Sequence, residues 1–333
     1  MYKKIIIILL IILLLLIIYI IKYVNKTYDI KQKYEIKLNN LINTRLNNND
    51  KKLFIVPPLE LGDNIVINGG IQYLSTKYDT IILVCKKANY KQILYMYQNL
   101  NNIMYYIIPN LYAIPYIKYY VPVNDFILNK FKKYNISYNN LFDDNKQYSY
   151  VIKYTHLYDF VSRTYRFLNV NVNTGYNYFK VPRDHKREND LYNKLIKITG
   201  DKYVIIIDDQ KRNFLINKIY INDIQLPIFK ISINSKNSDK RLDNIKSEYI
   251  FDYIKILENA EKIFSIDTSL LWLIDYLNIN TPTYAYCARN DIVVYRNKNI
   301  HKLKVLYKDI ITTNLNLNNY IFKIPIDEIS SII

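Results

Sequence analysis

Three short stretches of this chain place acid, hydroxyl and basic residues where a nucleophile or a phosphate would be handled. The first is Leu61-Gly62-Asp63-Asn64, close behind the apolar run Leu53-Phe54-Ile55-Val56. A carboxylate presented just after a strand can take a proton from an attacking hydroxyl. Asp63 can equally cap the helix that follows it, and that role alone would account for an acid there. The second stretch is Phe264-Ser265-Ile266-Asp267-Thr268-Ser269. A strand ends at Asp267, and Thr268-Ser269 open a helix whose free amides and positive dipole end suit a phosphate. The ordinary use of such residues is a plain N-cap. The third is Asp208-Asp209-Gln210-Lys211-Arg212, behind the strand-like run Tyr203-Val204-Ile205-Ile206-Ile207. Lys211 and Arg212 there would pair with a diphosphate or form a solvated loop.

Metal chemistry is not expected. Asp208-Asp209 and Asp143-Asp144 lack the Asp-x-Asp spacing of a metal-bridged nucleotide-sugar site, and His156, His185 and His301 are dispersed. Cys85 and Cys287 each end an apolar run and form no ligand spacing. The composition gives 46 basic against 29 acidic residues, a net charge of +17. Ile, Asn, Lys and Tyr dominate throughout, as A/T-rich codons produce, and the basic residues form no stripe or tail. Nucleic acid is therefore not an expected partner.

The elements that must position these residues alternate. Strand-like runs at 53–57, 80–85, 103–109 and 149–153 are separated by helical patterns at 64–77, 88–99, 124–134 and 155–168. After a polar stretch around residue 183 and a helix over 186–198, a second series follows. Its strands fall at 202–207, 227–232, 262–266 and 283–287, with helices near 247–260 and 268–278. Short buried strands separated by helices imply parallel βαβ units. The pattern predicts an α/β protein with two Rossmann-like domains facing a cleft, at 53–180 and 181–333. Three of the five glycines fall within nine residues, at 62, 69 and 70. Gly62 and Asn64 read as a tight turn that exposes Asp63. Gly69 and Gly70 lie inside the helical pattern, where close packing of helix on sheet, or room for a ligand, would offset their cost.

The N-terminus carries an unbroken apolar run from Ile5 to Ile21, extendable to Val24. About 20 helical residues span the hydrocarbon core of a bilayer. No small-residue cleavage site follows, so the run predicts an uncleaved transmembrane anchor over 1–24, in contact with membrane through residues 5–24. Lys22, Lys26, Lys31, Lys33 and Lys37 outnumber Lys3 and Lys4, which would place the C-terminal part on the cytoplasmic side. The sequons at Asn25 and Asn135 pull the other way, and the side stays open. Residues 25–52 read as a stalk with one amphipathic helix carrying Ile36, Leu38, Leu41 and Ile42.

Taken together, Leu61-Gly62-Asp63 after a first strand, the stretch Ser247–Lys262, and Ile266-Asp267-Thr268-Ser269-Leu270-Leu271-Trp272-Leu273 resemble the heptosyltransferase-type glycosyltransferases of family nine. His156–Asn169 is similar to that family's helix near its domain crossover. The resemblance runs from about residue 53 to 290 and implies a GT-B fold. It implies sugar transfer from a nucleotide-diphosphate donor to a glycan or lipid-linked acceptor, inverting, with the nucleotide sugar as co-substrate and no other cofactor. By resemblance Asp63 is the base, Gly62 and Asn64 form the acceptor-side turn, and Lys211 or Arg212 holds the diphosphate. Asp267 bonds the donor and the Thr268 and Ser269 amides cradle phosphate. Ser269 stands where the family has glycine, and Trp272 where it has histidine. These departures keep open a second expectation, a membrane-tethered protein that retains the fold and binds without turnover.

Overall fold

The computed structural model describes residues 2–45, 50–57, 59–110, 120–121, 125–140, 160–207, 225–231, 239–266, 268–286 and 295–303. They form two compact units, the first within Met1–Arg187 and Glu248–Asp252, the second within Glu188–Ser247, Tyr253–Asn290 and Tyr295–Ile333.

The first unit opens with one long helix, α1 (Tyr2–Arg45). Then come β1 (Lys52–Val56), α2 (Leu61–Val66), α3 (Asn68–Leu74), β2 (Thr80–Lys86), α4 (Tyr90–Met96), β3 (Ile103–Ile108), α5 (Asp125–Lys133), β4 (Ile136–Asn140), α6 (Phe160–Leu168) and α7 (Val172–Tyr178). The strands make a parallel sheet in the order β3-β2-β1-β4, with Phe54 opposite Ile82 on one side and Tyr138 on the other. β1 is buried along its whole length, as a central parallel strand covered on both faces must be. β4 was not expected, and the run at 149–153 lies outside the described residues.

On one face of this sheet Phe54, Val56, Ile82, Val84 and Tyr106 pack with Ile127 and Phe131 of α5 and with Leu38 and Ile42 of α1. The segment expected to be a stalk is thus the last turns of the same helix that begins at Tyr2, and two of its apolar residues are fully buried core. Ile36 faces outward, 55% exposed. The helix is fastened at three further points. Lys37 donates to the Ile107 carbonyl (2.6 Å), the Tyr106 hydroxyl donates to the Tyr34 carbonyl (3.1 Å), and Lys130 donates to the Asn39 side chain (3.0 Å).

Tight helix contacts lie at α3. A Cβ on Gly69 would stand 1.6 Å from the Gly175 carbonyl oxygen in α7, and one on Gly175 would stand 1.9 Å from the Tyr165 ring of α6. The Tyr165 hydroxyl donates to the Val66 carbonyl at 2.8 Å. The glycine pair is therefore explained by packing, and at Gly69 it is helix against helix rather than helix against sheet.

Helix α8 (His185–Thr199) leads into the second unit and ends at Gly200, whose φ of +75° is the left-handed conformation glycine adopts readily. The unit continues with β5 (Val204–Ile207), β6 (Ile228–Ile231), α9 (Ile254–Glu258), β7 (Lys262–Ile266), α10 (Ser269–Tyr276), β8 (Thr283–Tyr286) and β9 (Ile300–Leu303). Its five strands are also all parallel, in the order β6-β5-β7-β8-β9. The helix expected over 247–260 is shorter: a 3-10 turn at Ile250–Tyr253 precedes α9.

Candidate functional site

In each sheet the strand order reverses once. From β1 the chain winds outward through β2 and β3, then returns to place β4 on the other side of β1. In the second unit β6 lies to one side of β5 and β7 to the other. Outside the carboxyl ends of the strands at such a reversal, adjacent connections diverge and leave a crevice, which is where open α/β sheets hold ligands. Asp63 follows β1, residues 208–212 follow β5, and residues 267–269 follow β7. Of the stretches singled out in the sequence, Asp63 and the pair Thr268 and Ser269 thus leave their sheets at these reversals, and residues 208–212 and Asp267 lie outside the described residues.

Helix α2 starts earlier than the pattern implied. Glu60 is its N-cap and Asp63 its third residue, and the two form a reciprocal capping box in which the Asp63 carboxylate accepts from the Glu60 amide (3.3 Å). Gly62 and Asn64 are consequently not a turn: both lie inside α2, because the box carries the helix back to Leu61. Asn64 is buried and its amide donates to the Glu60 carbonyl (2.8 Å). Asp63 itself is half-buried.

Glu60 and Lys86 were missed by sequence reasoning. Lys86, the last residue of β2, is ion-paired to Glu60, and its side chain is only 10% exposed against 71% for Glu60. A lysine ending an apolar strand was a legible signal, since a buried ammonium requires a partner. Next to them the Asn89 side chain donates to the Leu59 carbonyl (2.8 Å), fixing the approach to α2. Cys85, one residue before Lys86, is buried, and that burial pushes its thiol up to about 12, with nearby Lys37 opposing.

In the second unit, Thr268 caps α10 with extended backbone, its hydroxyl oxygen accepting from the Leu271 amide (3.4 Å). Thr268 and Ser269 are half-buried. Trp272 is 3% exposed and packs against Tyr295 with ring centroids 5.3 Å apart, so the indole is core. The far end of α10 is held by Asp275, which accepts from the Arg296 and Asn297 amides (2.8 Å each). Lys211, Arg212 and Asp267 lie outside the described residues.

No family model matches the chain. Among curated proteins it is similar to a probable polyketide synthase 15 of Dictyostelium discoideum, 29% identical over 116 residues, which is 35% of this chain and 4% of that protein. Among solved structures it is similar to a glycosyl transferase family 9 protein of Veillonella parvula, 10% identical, covering 82% of this chain and 93% of that one, with a TM-score of 0.46. It is also similar to the E. coli heptosyltransferase WaaC with ADP, 12% identical over 80% of this chain and 98% of that one, TM-score 0.37. WaaC with ADP-2-deoxy-2-fluoro heptose gives 13% identity over 77% and 93%, TM-score 0.34.

Proposed function

We propose that the chain is a membrane-anchored glycosyltransferase that moves a sugar from a nucleoside-diphosphate donor to a hydroxyl of a glycan or lipid-linked acceptor. The observation that supports this reading is the position of Asp63 just after β1, and of Thr268 and Ser269 just after β7, beside the strand-order reversal of each parallel sheet. In the proposed reaction the Asp63 carboxylate takes the acceptor proton as the hydroxyl oxygen attacks the anomeric carbon. The bond from that carbon to the diphosphate oxygen breaks on the opposite side, giving inversion. Lys211 or Arg212 and the Thr268 and Ser269 amides stabilise the departing diphosphate, Asp267 holds the donor, and no metal is required. Anchoring is supported by the side chains from Ile11 to Ile21, each 42–68% exposed along a helix long and apolar enough to cross a membrane.

The test is release of nucleoside diphosphate by the detergent-purified full chain across a panel of nucleotide sugars. Asp63→Asn should lower turnover on the order of 100- to 10,000-fold, the usual worth of a general base, while donor-induced thermal stabilisation persists. Unchanged turnover in that variant would remove Asp63 from the mechanism. A second reading, a binding protein without turnover, is favoured by Trp272, a core residue at the position where the resembled motif carries histidine. Stabilisation by a donor that is never consumed would select it.

A further inference from the structure

Helix α1 has a direction relative to the first unit's sheet. Tyr34 and Lys37 are bonded to Tyr106 and Ile107, late in β3. Asn39 is bonded to Lys130, in the second half of α5. After Arg45 the chain enters β1 at its amino end, Lys52. The helix therefore runs against the strands, and its N-terminal apolar part projects beyond their carboxyl ends. This is the edge that carries Glu60, Asp63 and Lys86. From Tyr34 to Val24 is ten residues of unbroken helix, roughly 15 Å at 1.5 Å per residue.

We infer that α1 is a strut that turns the carboxyl edge of the first unit's sheet toward the bilayer and holds it at a set height. The inference rests on the anchored reading above. It narrows the acceptor class to molecules whose reacting hydroxyl lies at the membrane surface, within about 15 Å of the apolar boundary. A hydroxyl far out on a long extracellular or cytosolic polymer would lie beyond the far edge of the unit. The packing of α1 makes the height a property of the fold, because the helix is continuous from the apolar segment into the core.

Transfer of excitation energy tests this without any assay of catalysis. Ala88→Cys marks the carboxyl edge and Lys77→Cys the amino edge, both exposed positions, in a Cys287→Ser background with buried Cys85 left in place. Each full-length variant is labelled with a donor dye and reconstituted into phosphatidylcholine vesicles containing an acceptor-labelled headgroup. The two edges are separated by seven strand residues, about 23 Å. Dye at position 88 should be quenched at least twofold more than dye at position 77. A flexible Gly-Gly-Ser-Gly-Gly insert after Lys26 should abolish the difference. Equal quenching, or stronger quenching at position 77, in protein that floats with the vesicles overturns the inference and leaves anchoring intact. Protein that does not float with vesicles overturns anchoring itself.

Discussion

The capping role of Asp63 and the catalytic role proposed for it have different chemical requirements. Capping needs an oxygen that accepts from the Glu60 amide, whereas proton abstraction needs a negative charge. Asp63→Asn keeps the first and removes the second, so its melting temperature should stay near that of the parent. Asp63→Ala removes both and should cost about 1 kcal/mol on thermal unfolding. Cys85 makes a different statement. Its folded thiol titrates near 12 against an ordinary value of 9.0. Between those values the unfolded chain has released its proton and the folded chain has not, so this group's stabilising contribution is present below pH 9 and falls as pH rises. The slope should approach 1.4 kcal/mol per pH unit at most, read from denaturant midpoints. Burial raises the Tyr97, Tyr105 and Tyr106 hydroxyls in the same direction, so the alkaline decline should steepen above pH 10. Below pH 9 the native thiol should resist alkylation until the protein is unfolded.

The crossing of α3 and α7 is set by absent side chains. Gly69→Ala meets a backbone carbonyl that cannot move without displacing α7, and should cost about 3 kcal/mol or more. Gly70→Ala meets the Leu168 Cδ1 atom at 2.7 Å and the Tyr165 ring at 3.1 Å, side chains rather than backbone, and should cost less, about 1–3 kcal/mol. Urea unfolding of the two variants compares them directly. The sequence made α3 visible but not what it touches, since Gly175 lies more than a hundred residues away. It also hid α7 and β4, for one physical reason. Val172-Asn173-Thr174-Gly175-Tyr176-Asn177-Tyr178 has no apolar stripe, and Ile136-Ser137-Tyr138-Asn139-Asn140 pairs only with β1 at the sheet edge. Elements that bury little leave little periodicity, whereas β1, β2, β5 and β7, buried over most or all of their length, were legible within a residue or two. Of the candidate site, Asp63 and Thr268 were visible through helix starts, and Lys86 was legible as a lysine ending an apolar run but was passed over.

For the whole molecule, the boundary that matters lies inside α1. A fragment beginning at residue 46 loses Leu38 and Ile42, whose burial is worth about 1.5–3 kcal/mol each. That total is a large share of the 5–15 kcal/mol by which a domain is stable. It also uncovers the aromatic cluster of Phe54, Tyr106 and Phe131. Such a fragment should aggregate or melt markedly lower, while one beginning at residue 25 should stay monomeric and cooperative by calorimetry and light scattering. Residues 25–52, expected to be a stalk with one amphipathic helix, are helical up to Arg45 and give Leu38 and Ile42 to the core. Amphipathicity was visible there, but a periodic stripe does not say whether its partner is solvent-side or core.

A helix that is at once candidate membrane span and core would also couple motions. The first unit cannot spin about the membrane normal unless the helix spins with it, because Lys37, Asn39, Leu38 and Ile42 bind one body to the other. In a bilayer its reorientation would follow the viscosity of lipid rather than that of water. An acceptor diffusing in the same leaflet would thus meet a surface whose bearing changes slowly, and would have many collisions in which to find it.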